Sequence, residues 1–277
     1  MVWKYDCDVK INDAPLPVIA LEGKIKGDVL QRYQKLLSSE QALVCHKQLP
    51  DYNKFEWKMW LQRLAAERVY YKVNELQKLF RVTNHNLERT IYIAFFKCFG
   101  MKLNHDPMMR LALRFPFALL HKYKNEPDKI RALFWGMSGW FHVKDESSQW
   151  IKWKEEYQYL RKLHQINFEL QPREWLMGRL RPLNFPSVRL AQSIEFFIAL
   201  SNAITQIKNY SVVDWWQFME CLELTEYWEY HYLPGDKSRA QKKTVGRAFV
   251  NHFLINAVVP VLFLLSEVEK NDTHKSK

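Results

Sequence analysis

Glycine is scarce in this chain, with only 8 among 277 residues. Glycine provides the left-handed backbone of tight hairpins and the open backbone of phosphate-binding loops, so neither is expected to be numerous. The four cysteines, Cys7, Cys45, Cys98 and Cys221, are far apart and form no CxxC pair. This spacing argues against a zinc ribbon and a disulfide framework, and it is typical of a protein from a reducing compartment.

We expect no secretory leader in this sequence, and it has no long apolar run. Charges at Lys4, Asp6 and Asp8 are incompatible with a signal peptide at this N-terminus. The longest apolar run, residues 257–265, is about half as long as a bilayer requires, and Pro260 interrupts it. We therefore expect a soluble, cytoplasmic protein that does not interact with a membrane.

Basic charge and aromatic residues are abundant. The chain has 41 Lys and Arg against 30 Asp and Glu, a net charge of +11, and 48% of its residues are hydrophobic. With 11 Trp, 13 Tyr and 17 Phe, it is too apolar to be disordered. Because a positive field favours anions, nucleic acid or another anionic ligand is the expected partner. The sequence does not determine the oligomeric state.

Periodicity predicts a mainly α fold, a multi-helix domain with a short N-terminal β-ribbon. Residues 2–9 and 17–21 are expected to pair across a turn at Asn12 and Asp13, within a ribbon that occupies residues 1–25. A helical domain follows over residues 26–270, and the polar tail 271–277 is expected to fray. The predicted helices cover 29–37, 53–80, 86–99, a segment starting at 106, 127–135, 147–165, 186–207, 213–230 and 242–268, with a loop at 43–52.

The segment RLRPLNFPSVRLAQ, residues 179–192, is the most informative part of the sequence. Pro182 and Pro186 disfavour helix in the residues before them, so a rigid turn is expected, with Pro186 opening the next helix. An arginine at position 189 would then oppose the helix dipole unless an anion is near. Free N–H groups at a helix start beside guanidinium groups are typical of a phosphate or carboxylate site. We predict that the site is formed by Arg179, Arg181, Asn184, Arg189 and Gln192.

A carboxylate on the apolar stripe of the longest predicted helix offers an alternative interpretation. Glu67 lies three and four residues from Leu64 and Tyr71, a position that predicts partial burial. A buried carboxylate needs a partner, which we expect to be Arg179 or Arg181. In this alternative the arginines pair internally and only fix the turn, and Glu67→Gln would lower the stability. If the pair instead holds an active site together, Glu67 is a weak catalytic candidate.

Three further polar residues are secondary candidates for the site. His252 and Asn256 share one face of the last predicted helix, four residues apart. Pro260 has no N–H, so the Asn256 carbonyl loses its usual helical partner, and either a ligand pocket or an internal substitute is expected there. Arg68 is the third candidate. No HExxH, paired-cysteine or phosphate-loop pattern is present, so we predict no metal site and no cofactor.

Several stretches of the chain resemble a family known as domain of unknown function 2851. The arginine–proline segment 179–192 is the most specific of them. The resemblance implies a helical portion that follows an upstream nuclease-like α/β segment and precedes a cysteine-bearing end, so that residues 1–25 are a remnant of that segment. The other stretches are residues 14–21 (APLPVIAL), 60–68 (WLQRLAAER), 132–139 (ALFWGMSG), 156–160 (EYQYL) and 255–260 (INAVVP).

These observations leave three functional interpretations. The first is a non-catalytic anion- or nucleic-acid-binding module centred on Arg179, Arg181 and Arg189. The second is part of a nuclease-like hydrolase that uses Glu67 together with those arginines. The third is a purely structural interaction domain. Salt-dependent binding to nucleic acid would separate the first interpretation from the third.

Overall fold

A computed structural model of the chain describes residues 2–4, 10–11, 14–39, 53–200 and 204–275. The fold is mainly α, as predicted. The chain divides into two compact units, Met1–Leu61 and Gln62–Lys277. The predicted loop at 43–52 lies outside the described residues.

The first unit contains a minimal β-ribbon and one helix. Strands β1 (Lys10–Ile11) and β2 (Ala14–Pro15) pair antiparallel, and Val2 forms a parallel bridge with Ala20. The predicted pairing of 2–9 with 17–21 is present in part: Val2 donates to the Ile19 carbonyl at 3.1 Å and accepts from the Leu21 N–H at 3.0 Å, but this contact is a single parallel bridge and no strand forms over 17–21. Residues 5–9 of the first segment lie outside the described residues. Pro15 and Pro17 have no N–H to donate, so the ladder cannot extend past β2. Helix α1 follows at Gly27–Leu37.

A long helix, α2 (Lys54–Val82), crosses from the first unit into the second. Its start is a capping box, in which the Asn53 side chain accepts from the Glu56 N–H at 2.9 Å and the Glu56 carboxylate accepts from the Asn53 N–H at 3.1 Å. The remaining helices are α3 (Leu87–Phe99), α4 (His105–Arg114), α5 (Ala118–Lys122), α6 (Pro127–Met137), α7 (Ser148–Leu163), α8 (Pro186–Leu200), α9 (Val212–Glu220), α10 (Glu226–Tyr230), α11 (Arg247–Phe253) and α12 (Val259–Lys275).

Several predicted boundaries are wrong in the last third of the chain. The single helix expected over 213–230 is two helices, α9 and α10, because Glu226 and Glu229 favour a new helix start at that point. A hairpin of β3 (His231–Leu233) and β4 (Asp236–Lys237) follows, which the sequence did not predict. The helix expected from 242 starts at Arg247, and α12 continues to Lys275, so the tail is helical beyond residue 270.

The core of the second unit is built around α3 and α8, which are rich in apolar residues and largely buried. Helix α3 packs against α4, α8 and α11. Aromatic rings fill the contacts: Phe96 stacks between Phe134 at 5.1 Å and Phe197 at 5.6 Å between ring centroids. Close packing therefore fixes the positions of α3 and α8. These two helices also carry polar residues of the site described below.

Two anchors hold the chain that leads to the turn at residues 179–185. Leu170 donates its N–H to the Met137 carbonyl at 2.9 Å, and the Trp175 indole donates to the Ser138 carbonyl at 2.8 Å. Farther along, the Asn104 side chain donates to the Leu176 carbonyl at 2.9 Å and accepts from the Leu176 N–H at 2.8 Å. The end of α6 and the start of α4 thus fix the approach to the turn.

Among the described residues, one helical stretch, Arg247–Lys270, is long and apolar enough to cross a membrane by length and composition. Half of its most apolar window is buried inside the protein. Phe253, Val258 and Val261 are part of the core, and the stretch packs against α3. These contacts are those of a core helix.

Candidate anion-binding site

Arg189 is a buried cation near the start of α8. Its Nη1 donates to Oε1 of Gln192 at 2.8 Å, and its Nη2 donates to Oδ1 of Asn184 at 2.5 Å. The guanidinium lies over the Phe249 ring, 4.0 Å from the centroid. Burial lowers the pKa of Arg189 to about 10. No carboxylate of the described chain pairs with it, so this charge is held by neutral groups alone.

The side chains of three of the five residues predicted to form one arginine site are joined by hydrogen bonds. Asn184, Arg189 and Gln192 meet, but the two amide oxygens occupy the guanidinium fork that was expected to bind an external anion. Arg179 and Arg181 are exposed, and their side chains form no hydrogen bond or ion pair with any described residue. The grouping of all five residues in one anion site therefore stays a prediction, with Arg181 linked to Asn184 through its backbone carbonyl at 2.7 Å. We call residues 179–185 the arginine turn.

Glu67 does not contact the arginine turn through any ion pair. Its carboxylate pairs with Arg63 one helical turn earlier, at 2.8 Å, and its side chain is 55% exposed. The predicted burial and the predicted partner are both wrong, because the face of α2 that carries Glu67 is open to solvent over this stretch. Its geometry provides no support for a catalytic role.

The three secondary candidates are close together. Arg68 donates to Oδ1 of Asn256 at 2.8 Å, and Nδ2 of Asn256 lies 2.8 Å from the His252 carbonyl and 3.2 Å from its Nδ1. Between α11 and α12, residues Leu254–Val258 form a π-helix. Pro260 lacks the N–H of a regular α-helix at this point, and π segments of this kind are frequent at functional sites.

His252 and Asn256 lie in the wall of a cavity of about 610 Å³ between α2, α3 and the start of α4. Four lysines line it, namely Lys72, Lys78, Lys97 and Lys102, and we call it the lysine cavity. Among the described lining residues Glu75 is the one carboxylate, and it pairs with Lys72 at 2.8 Å. The other three lysines form no ion pair within the described chain. Positive charge at this cavity is therefore not balanced.

Arg189 adds to that charge from behind the cavity wall. Cys98 is buried in the wall, where burial raises the pKa of its thiol to about 12, so that the sulfur stays neutral. Burial, together with the charges of Arg189, Arg68 and Lys72, lowers the pKa of His252. The lowered pKa favours the neutral form of the His252 ring at physiological pH.

The depressed pKa of His252 predicts a specific pH dependence of stability. In the unfolded chain the ring binds a proton below about pH 6.5, whereas the folded protein binds it only at lower pH, so acidification favours unfolding. We expect the melting temperature to fall as the pH drops below about 6.5, and to fall less steeply in His252→Gln. Thermal denaturation followed by circular dichroism measures both slopes, and equal slopes in the two proteins would contradict the assignment.

The sequence profile of the family described as "Protein of unknown function (DUF2851)" matches residues 1–277. The chain belongs to the DUF2851 family. This confirms the resemblance inferred from the arginine–proline segment and the helical stretches around it. No curated protein and no solved structure matches the chain.

The sequence of this DUF2851 chain did not predict that the lysines of the cavity lie close together. Lysine on a helix is ordinarily a solvated residue, and Lys72, Lys97 and Lys102 belong to three separate segments that only tertiary packing brings together. The one available signal is the repeat of cations at positions 68 and 72, which places two positive charges on one face of α2. Within the described ranges, no group of three or more His, Cys, Asp or Glu side chains is arranged to hold a metal ion.

Proposed function

We propose that this protein is a non-catalytic module that binds nucleic acid through phosphate contacts at the lysine cavity and the arginine turn. One observation carries the proposal: Lys78, Lys97 and Lys102 converge on one cavity and form no ion pair among the described residues, and Glu75, already paired with Lys72, is the one carboxylate of its described lining. Like charges repel, so such a cluster lowers the stability of the free protein unless an anion binds it. A phosphate-bearing ligand supplies that anion.

The arginine turn and the cavity are neighbours through the Asn104–Leu176 hydrogen bonds. Lys102 precedes Asn104 by two residues and Arg179 follows Leu176 by three. Cations on both sides of this link therefore face solvent from adjacent segments. A polymer of phosphates can contact both groups at once, whereas a small isolated anion can contact only one of them.

The experiment compares two variants with the same loss of charge. In the first, Lys78, Lys97 and Lys102 are replaced by Gln. In the control, three exposed lysines that lie outside the cavity, Lys124, Lys154 and Lys162, are replaced by Gln. Binding of labelled single-stranded and duplex oligonucleotides is measured by fluorescence anisotropy over a range of salt concentrations, and circular dichroism checks the fold.

We expect the cavity variant to bind at least about tenfold more weakly at low salt. Its slope of log K against log salt should be about two to three smaller, because each lost phosphate contact removes about 0.7–0.9 from the slope. The control should stay within about threefold of the wild type. Equal weakening in both variants would overturn the cavity as the binding site. Absence of binding by the wild type would overturn the function and favour the structural interaction domain.

The geometry of the described residues does not support the alternative hydrolase interpretation. Its proposed acid, Glu67, is exposed and paired with Arg63 on its own helix, and it is not among the residues that line the lysine cavity. A cleavage assay with Glu67→Gln still tests it directly. Unchanged nucleic-acid integrity in the wild type under binding conditions is the expected result.

A further inference from the structure

We infer that the lysine cavity receives an unpaired nucleotide, so that the ligand is single-stranded nucleic acid with one base inside the cavity and its phosphates on the lysines. This inference rests on the proposed function and narrows its ligand class. A duplex presents only phosphates to a protein surface of this kind, since its bases are stacked and paired. The lysine cavity has features that phosphate binding alone does not require.

The first feature is an apolar interior. Leu79, Ala94, Met101 and Met109 line the cavity together with the lysines. Its volume of about 610 Å³ lies within the range of small-molecule sites, roughly 300–1,000 Å³. Apolar walls of flexible methionine side chains suit the flat face of a base, and they offer nothing to a phosphate. A ligand that matches this lining has an apolar, planar part beside its charge.

The second feature is a set of neutral polar groups in the wall. Asn74 lines the cavity, is exposed, and its side-chain amide forms no hydrogen bond with a described residue. The Nδ1 of His252 lies 3.2 Å from the Asn256 amide nitrogen, so a neutral ring accepts there and carries its proton on Nε2. One amide and one ring N–H are therefore available to the edge of a base, in the way that such edges are bound in single strands.

The third feature is an exposed aromatic ring at the rim. Tyr71 lines the cavity and is 63% exposed, with Nζ of Lys72 5.5 Å from its ring centroid. Stacking of one base on an aromatic ring contributes roughly 5- to 150-fold in affinity, judged from replacement of such rings. A ring and a cation side by side match the alternation of base and phosphate along a single strand.

The chain provides a matched control for Tyr71. Tyr70 is the neighbouring residue on α2, is 66% exposed and does not line the cavity. The variants Tyr71→Leu, Tyr71→Phe and Tyr70→Leu are compared by fluorescence anisotropy with a short single-stranded RNA, a single-stranded DNA and the corresponding duplex. Because both tyrosines are exposed, none of these changes should disturb the fold.

We expect the wild type to bind single strands at least about tenfold more tightly than duplex at the same salt concentration. Tyr71→Leu should lose about tenfold in affinity for single strands with no change for duplex, while Tyr71→Phe and Tyr70→Leu stay within about twofold. A nucleoside monophosphate should displace the single strand, whereas inorganic phosphate at the same concentration should not, because only the nucleotide fills the apolar part of the cavity.

Three results would overturn the inference, and each has a different consequence. Equal affinity for single strands and duplex, with no effect of Tyr71→Leu, would leave phosphate binding intact and remove the base from the cavity. No binding of any nucleic acid would remove the proposed function together with the inference. Displacement by inorganic phosphate as efficient as by the nucleotide would also count against a base-binding cavity.

Discussion

Replacing Glu195 with Gln is expected to lower the free energy of unfolding by about 3 kcal/mol, as a broken buried ion pair does. Both carboxylate oxygens of Glu195 accept from Arg131 at 2.7 Å, one from Nε and the other from Nη2. The two side chains are only 16% and 10% exposed. The substitution leaves the Arg131 guanidinium buried with its main counter-charge removed. The effect stays at the lower end of the range because Asp128 still accepts from Nη1 at 3.0 Å.

An exposed ion pair on the same chain provides the control. Glu67→Gln breaks the pair with Arg63, whose side chain is 77% exposed. Exposed pairs of this kind contribute at most about 1 kcal/mol, so the midpoint of urea unfolding should hardly change. Measuring both variants by urea denaturation compares a buried with an exposed carboxylate in one protein. Similar losses in the two variants would contradict the difference in burial.

The position of the core helices could be predicted from the sequence because the signals are local. Asn86 caps α3 by accepting from the Arg89 N–H at 2.8 Å, and Gly100 ends the helix. Pro186 opens α8 as its position after the turn predicted. In each case the residue that fixes the boundary lies within one helical turn of it. The break between α9 and α10 was nevertheless predicted wrongly, although Glu226 and Glu229 favour a helix start there.

Pairings over long sequence distances could not be predicted in the same way. Glu67 satisfied the local criterion for burial, yet α2 leaves that face exposed. Glu195 forms the buried ion pair, but no local feature of the sequence predicts it. Its partner, Arg131, is 64 residues away on another helix. The lysines of the lysine cavity likewise come from separate segments that only tertiary packing brings together. The sequence therefore located the cations of the arginine turn and missed those that share a cavity.

Gly139 occupies a position where two physical constraints act together. Its φ is +77°, in the left-handed region, and a Cβ at this position would overlap the Leu170 carbonyl oxygen. Two hydrogen bonds, from the Leu170 N–H to the Met137 carbonyl and from the Trp175 indole to the Ser138 carbonyl, prevent the segment around Leu170 from moving away from Gly139. The clash therefore cannot be relieved by a small shift of one flexible side chain.

We expect Gly139→Ala to lower the free energy of unfolding by about 3 kcal/mol, the sum of roughly 1–2 for left-handed backbone and about 1–3 for overpacking. Gly23→Ala is the matched control, since Gly23 has φ of +74° and nothing within 4 Å of the added Cβ. That variant should lose only the backbone contribution, about 1 kcal/mol. Urea unfolding of both proteins separates the two contributions. Equal losses would mean that Leu170 yields freely, and the approach to the arginine turn would then not be fixed by the end of α6.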